Sequence, residues 1–171
     1  SKKIFRIDEH VGVAISGLSP DARVLIRRAR ISAQSNRMTY AEPIDIEELT
    51  SSVGDLLQTY TQNAGVRPFG VSLIFGGVDN YRVSLIATDP SGSYRGYKAT
   101  SVGRNSDAAK EVLQKQYREE ITLDESIALS VEALRTAAQQ EMAVENLNIA
   151  VIPKETKVFR VLEDEEVRRY L

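Results

Sequence analysis

The sequence predicts a layered sandwich of the α+β class, in which two β-sheets pack face to face and helices cover the outer side of each. Three observations predict this fold. Short strands with alternating branched residues recur in three groups, amphipathic helices lie in pairs between the groups, and the connections are short. Two sheets with outer helices would bury every apolar face that this order produces.

The composition is typical of one globular domain, which we expect to span residues 1–171. The chain has no cysteine, which excludes a disulfide framework, a cysteine nucleophile and a thiolate zinc site. Its net charge of -2 creates no long-range field that would favour nucleic acid or an anionic membrane. We therefore expect a cytoplasmic protein with no cofactor, no metal, and neither nucleic acid nor membrane as a partner.

The first segment predicts two strands joined by a polar turn. Lys3 to Ile7 forms the first strand, and Asp8-Glu9-His10 forms the turn. Val11, Val13 and Ile15 then alternate with small residues, and this period of two favours a second strand. The small side of that strand would let another layer approach closely.

Two amphipathic helices follow. Ser19-Pro20-Asp21 predicts a helix start, with Ser19 as the N-cap and an acid near the positive end of the helix dipole. Asp45 begins the second helix, three residues before Glu48, in the spacing of a capping box. The predicted buried faces are Ala22, Leu25, Ala29 and Ala33 in the first helix, and Ile46, Leu49, Val53, Leu56 and Tyr60 in the second.

A block of three strands comes next. Val71 to Phe75 is rich in strand formers, and residues from Tyr81 to Ala87 alternate again. Asp89-Pro90-Ser91-Gly92 has the residues of a tight turn, so Ser93 to Ser101 is predicted as the return strand.

The last third predicts two more helices, two strands and a closing helix. Asn105 or Ser106 caps the first of these helices, and Thr122 with Glu125 forms a capping box for the second. The predicted buried face of the second helix is Ile127, Val131, Leu134 and Ala138. The remaining predicted elements are strands at Asn148 to Ile152 and Lys157 to Val161, and a helix at Glu163 to Leu171.

Several segments together resemble one family, the alpha-type subunits of the proteasome core particle, and the resemblance covers the whole chain. No single segment would suffice, but their order and spacing are specific. The compact loops resemble those of archaeal members. The segments are Ser16-Gly17-Leu18 with Asp21-Ala22-Arg23, Val66-Arg67-Pro68-Phe69-Gly70, Thr88-Asp89-Pro90-Ser91-Gly92-Ser93-Tyr94, Tyr97-Lys98-Ala99 and Asn148-Ile149-Ala150-Val151.

The resemblance implies a four-layer αββα sandwich, the fold of the N-terminal-nucleophile hydrolases, and a non-catalytic structural role. It implies a ring of seven alpha-type subunits that caps rings of proteolytic beta-type subunits. Such a ring gates the passage of unfolded proteins and docks activator ATPase complexes during protein degradation. Family members carry a gate-forming segment, a helix and two strands before the position of Ser1, so the resemblance implies a chain that is truncated at its N-terminus.

The resemblance also implies a pocket for the C-terminal tail of an activator. Lys3 matches the family lysine that receives the tail carboxylate, and Gly17 and Leu18 match the backbone beside it. An ammonium pairs well with a carboxylate, and glycine permits close approach of a backbone. A solvated lysine at a strand end is the alternative interpretation.

A second expected feature is the loop of Asn63, Ala64 and Gly65, which the resemblance places near the axial entrance of the ring. Many family members have Tyr-Gly-Gly there, so the sequence departs from the family at this loop. From the residues alone, glycine and proline between Asn63 and Pro68 are typical of a turn.

Other candidate sites have plainer interpretations. His10 is the only histidine, and we expect an exposed turn residue rather than a catalytic base. Asp8 and His10 could converge on a metal, but two ligands are too few for a structural site. Arg23, Arg27 and Arg30 form a stripe that is more typical of a solvated face or ring contact than of nucleic-acid binding. Gly103 to Ser106 is interpreted as a helix cap.

Two alternative functions remain open from the sequence. Ser1 could be the nucleophile of a catalytic beta-type peptidase, because the wider fold includes enzymes that use a terminal Thr or Ser. The chain could also be an unrelated small αβ binding module, which would be a monomer indifferent to proteasome subunits.

Overall fold

The computed structural model describes residues 2–63, 65, 67–80 and 82–171. The chain divides into two compact units, Ser1–Lys98 with Ile152–Phe159, and Ala99–Val151 with Arg160–Leu171. The order of elements along the chain is two strands, two helices, three strands, two helices, two strands and a helix. This is the predicted order.

The first unit contains seven elements. They are β1 (Ile4–Asp8), β2 (Val11–Gly17), α1 (Ser19–Tyr40), α2 (Ile46–Gln62), β3 (Val71–Val78), β4 (Val83–Thr88) and β5 (Tyr94–Gly96). The five strands form one sheet in the order β1-β2-β3-β4-β5, and every neighbouring pair is antiparallel. The return strand β5 is shorter than predicted, and Tyr81 lies outside the described residues.

The core of this unit lies between one face of the sheet and helices α1 and α2. The alternating residues of β2 and β3 supply the sheet side, and the helices supply the other. The predicted face of α1 is buried, whereas in α2 Leu56 and Tyr60 are only partly buried and Leu57, which was not predicted, is fully buried. The small face of β2 is also used as predicted, because a Cβ built on Gly12 would lie only 2.5 Å from the Phe159 ring. The central members of the core are Val11, Val13, Leu25, Ile46, Leu49, Val53, Leu57, Leu73 and Phe75.

Helix α1 begins differently from the prediction. Its N-cap position is Leu18, with no side-chain cap hydrogen bond, so the assignment of Ser19 as the N-cap was wrong. Helix α2 does begin after Asp45, whose carboxylate accepts a hydrogen bond from the Glu47 N–H, but no capping box with Glu48 forms. Both helices therefore start where expected, but neither start has the predicted cap hydrogen bonds.

The turn between β1 and β2 is buried, which corrects the expectation of an exposed His10. His10 is 2% exposed, and its Nε2 donates to the Ile44 carbonyl oxygen at 2.9 Å. Asp8 lies beside it, with Oδ2 3.8 Å from Nδ1 of His10, and binds Nε of Arg37 at 2.7 Å. Burial raises the pKa of Asp8, but the Arg37 and Glu9 hydrogen bonds outweigh it and hold the pKa below its usual value.

The second unit contains α3 (Ser106–Gln116), α4 (Leu123–Ala138), a 3-10 turn (Val144–Asn146), β6 (Ala150–Val151), β7 (Arg160–Val161) and α5 (Asp164–Arg168). Strands β6 and β7 pair antiparallel. The capping box of Thr122 and Glu125 forms as predicted. At the start of α3, the Asn105 side chain makes no cap hydrogen bond and donates instead to the Ala137 carbonyl oxygen at 2.9 Å.

The buried face of α4 is broader than the predicted stripe. Ile127 and Val131 pack with Val144, Val151 and Val167, as expected for a single apolar face. A second set on α4 packs against α3, and its members are Leu129, Ala133 and Ala137. The predicted burial of Leu134 and Ala138 was wrong, since both side chains are exposed.

Within the part of the chain that the structure describes, every helix is too short or too polar to cross a membrane.

Gly17 ends β2 in a conformation that favours glycine, with φ at +122°. A Cβ there would lie 2.2 Å from the Gly70 carbonyl oxygen. We expect Gly17→Ala to lower the free energy of unfolding by on the order of 2–4 kcal/mol, through backbone strain and overpacking. Urea unfolding measures this.

Gly76→Ala is the matched control for Gly17→Ala. It lies on the adjacent strand β3, and the nearest atom to an added Cβ is Leu85 Cδ1 at 3.6 Å, an ordinary contact. We expect it to change stability by less than about 1 kcal/mol. Equal losses in both variants would contradict the role assigned to Gly17.

We expect the carboxylate of Glu166 to make the melting temperature depend on pH under acidic conditions. Its hydrogen bonds with Arg160 and with the Glu163 N–H lower its pKa from 4.5 to about 2. A carboxylate with a lowered pKa stabilises the fold above its unfolded pKa, and this contribution disappears as the pH falls through about 2. Between pH 4.5 and 2, the melting temperature should therefore fall more steeply in the parent protein than in Glu166→Gln. Glu165→Gln, on the same helix, should keep the parent slope, and identical slopes in all three proteins would refute the assignment.

Candidate functional site

The residues predicted for the tail pocket lie at one end of the five-stranded sheet. Lys3 precedes β1, and its carbonyl oxygen accepts from the Ile15 N–H at 2.9 Å. Gly17 is the last residue of β2. Because β1 and β2 are antiparallel, the start of one and the end of the other meet at the same end of the sheet. The fold therefore brings Lys3 to the same end as Gly17 and Leu18.

The backbone at Gly17 and Leu18 is held by Gly70, which precedes β3. The Leu18 N–H donates to the Gly70 carbonyl oxygen at 2.9 Å, and the Leu18 carbonyl oxygen accepts from the Ala22 N–H at 3.1 Å. The Leu18 side chain is 52% exposed and lies against Gly70. This end of the sheet thus presents an exposed apolar side chain beside a fixed and accessible backbone.

Sequence reasoning missed the ion pair of Asp21 and Arg67, which supports this backbone. Asp21 Oδ1 lies 2.7 Å from Nη2 of Arg67, and Oδ2 lies 2.9 Å from Nη1. Oδ2 also accepts from the Gly70 N–H at 2.7 Å. The available signal was the spacing of Asp21 and Leu25, because residues four apart share a helix face and an acid on an apolar face needs a partner.

The electrostatics of the site follow from this pair. The Arg67 hydrogen bonds are the main cause that lowers the pKa of Asp21, while burial opposes them and the Gly70 N–H adds to them. The positive charge of Arg67 is balanced by the Asp21 carboxylate. Among the described residues, Lys3 makes no ion pair, so its ammonium group is available to an anion.

The predicted axial loop is described in part. Asn63 follows α2 with extended backbone, Gly65 has a φ of +81°, and both are exposed. Ala64 lies outside the described residues. Two positions after Gly65, Arg67 binds Asp21, so the chain that leaves the loop is fastened to the first turn of α1. Phe69 follows, buried against the Tyr60 ring with the two centroids 4.4 Å apart.

The other candidate residues form no further site among the described residues. Ser1 lies outside the described residues. Among those described, no group of three or more acidic or histidine side chains could hold a metal ion. Of the arginine stripe, Arg30 donates twice to the Arg6 carbonyl oxygen, at 2.9 and 2.8 Å, while Arg23 and Arg27 are exposed.

Comparisons with known proteins identify the family. A family model described as "Proteasome subunit" matches residues 1–152. A "Proteasome subunit alpha" of Methanobrevibacter smithii is 46% identical over 170 residues, which cover 99% of this chain and 68% of that protein. The same-named proteins of Methanopyrus kandleri and Methanocaldococcus jannaschii are 47% and 46% identical, with 97% and 99% of this chain and 67% and 65% of each relative covered.

The chain thus spans about two thirds of the length of these relatives, and the identity extends through both compact units. Such identity over almost the whole chain, together with the family match, leaves one conclusion: this chain belongs to the proteasome subunit family and is of the archaeal alpha type.

Proposed function

We propose that the chain is a non-catalytic structural subunit of a cytoplasmic proteasome core particle. In this proposal it forms an outer ring of seven copies, contacts beta-type subunits, gates the passage of unfolded proteins and docks an activator ATPase complex. The observation that carries the proposal is the 46% identity to a proteasome alpha subunit over 99% of the chain. The relatives are alpha-type, which disfavours a beta-type peptidase, and family membership rules out an unrelated binding module.

The four-layer αββα sandwich belongs to this proposal. The first unit supports it, because α1 and α2 cover one face of a five-stranded antiparallel sheet, the relation expected between an outer helical layer and its sheet.

The tail pocket of Lys3, Gly17 and Leu18 is also part of the proposal. The tail carboxylate would pair with the Lys3 ammonium, and the apolar residues next to it would lie on Leu18 and the Gly17 backbone. Two observations support this assignment: Lys3 makes no ion pair among the described residues, and Leu18 is half exposed at the same end of the sheet. The loop of Asn63, Ala64 and Gly65 is proposed to narrow the axial entrance.

Ring formation is the first test of this function. We expect native mass spectrometry to find a seven-fold species or stacked rings of it. Because the relatives are longer, the measurement is repeated with a fusion that carries the unmatched region of the Methanobrevibacter smithii relative. A monomer in both samples, also when beta-type subunits are added, would overturn the proposed ring.

The pocket is tested by Lys3→Ala in an assembled alpha–beta particle. A charge-assisted hydrogen bond is worth about 1.5–3 kcal/mol, so we expect activator-stimulated peptide hydrolysis to need roughly 10- to 100-fold more activator. Hydrolysis without activator should stay the same.

Lys2→Ala is the control for Lys3→Ala, because Lys2 is an adjacent exposed lysine whose Nζ lies 5.1 Å from the centre of the Phe5 ring. It should keep the parent response. If Lys3→Ala responds like the parent particle, the pocket assignment is wrong.

A further inference from the structure

The Asp21 carboxylate connects two parts of the first unit that are far apart in sequence, the first turn of α1 and the segment that leads into β3. It lies in the first turn of α1, binds a guanidinium 46 residues away, and accepts from the Gly70 N–H at 2.7 Å. Only 8% of the Asp21 side chain is exposed, against 63% for Arg67. Three hydrogen bonds hold the buried carboxylate in one position. They also fix the positions of its two partners, Arg67 and Gly70.

Gly70 links the Asp21 carboxylate to the backbone of the candidate pocket. Its N–H is held by Asp21, and its carbonyl oxygen holds the Leu18 N–H at 2.9 Å. Gly17 packs so tightly against the same peptide that an added Cβ would lie 2.9 Å from the Val71 Cα atom. A shift of Gly70 would therefore move both Gly17 and Leu18.

Arg67 completes the arrangement, because it supplies the only counter-charge to Asp21 among the described residues. Without the guanidinium, a buried carboxylate would be left uncompensated, which is unfavourable. The planar guanidinium binds both carboxylate oxygens, a geometry that lysine cannot reproduce. The position of Gly70 thus depends on a side chain from the segment that follows α2.

From these contacts we propose that Asp21 and Arg67 are positioning residues for the tail pocket, which they shape by fixing Gly70 and through it the backbone of Gly17 and Leu18. The inference rests on the proposed function, since it concerns the same pocket. Its ligand class is a peptide with a free C-terminal carboxylate. Neither residue contacts the tail, and the charge that recognises the carboxylate remains that of Lys3.

The test measures the affinity of assembled alpha–beta particles for a seven-residue peptide with the C-terminal sequence of an activator ATPase. The same peptide with an amidated C-terminus is the ligand control. We expect Arg67→Gln to raise the Kd about tenfold and Arg67→Lys to raise it by less, because lysine restores the charge without the paired hydrogen bonds. Ring mass should not change.

Asp21→Asn combined with Arg67→Gln tests whether the two residues act as a unit. The double variant should lose no more affinity than the more damaging single variant, since residues in one ion pair are not additive. Arg82→Gln is the matched control, because it removes a surface ion pair with Glu47, at 3.3 Å, in the same unit. It should leave the Kd unchanged.

The binding data distinguish a failure of the positioning role from a failure of the pocket itself. If Lys3→Ala abolishes binding while Arg67→Gln and Asp21→Asn bind the peptide as the parent does, the positioning role is wrong and the pocket stands. If the parent particle does not distinguish the free carboxylate from the amide, both are wrong. Should Asp21→Asn fail to assemble, Arg67→Gln decides alone, because its exposed side chain can be replaced without opening the core.

Discussion

The close contact of Gly70 with the last residue of β2 and the first turn of α1 is the constraint on which the first unit depends. Gly70 accepts from Leu18, donates to Asp21 and excludes any side chain at Gly17. These contacts fix where β2 stops, where α1 starts and where β3 enters the sheet. Through its N–H and its carbonyl oxygen, Gly70 therefore links the start of β3 to the end of β2 and the start of α1, and the buried carboxylate that binds its N–H needs a counter-charge.

Much of the fold could be predicted from the sequence, because period-two and period-3.6 patterns are local properties. The alternation of Val11, Val13 and Ile15 identified the core face of β2, and Thr122 with Glu125 identified the start of α4. The residues that were misjudged depend on distant chain. His10 is buried because the linker before α2 supplies the Ile44 carbonyl, which no local pattern reveals.

In the candidate site, too, the contacts that sequence patterns did not reveal are those between distant parts of the chain. Lys3, Gly17 and Leu18 were predicted through the family resemblance, and the antiparallel pairing of β1 with β2 brings them to one end of the sheet. The Asp21–Arg67 pair was missed because its members are 46 residues apart and because each residue had a plausible local role, as a helix-dipole acid and as a turn residue. Long-range ion pairs become visible only once the strands are in register.

The pairing of β2 with β3 has a consequence for how this chain can change over evolution. Residues 11–17 pair with residues 71–77 without a single irregularity, whereas β1 and β2 contain a shift near Arg6. Inserting or deleting one residue in the uninterrupted ladder would turn the core face of a strand outward and carry Gly17 away from its partner. Length variation in this unit should therefore be confined to its turns and to the β1 strand, where an irregularity already absorbs it.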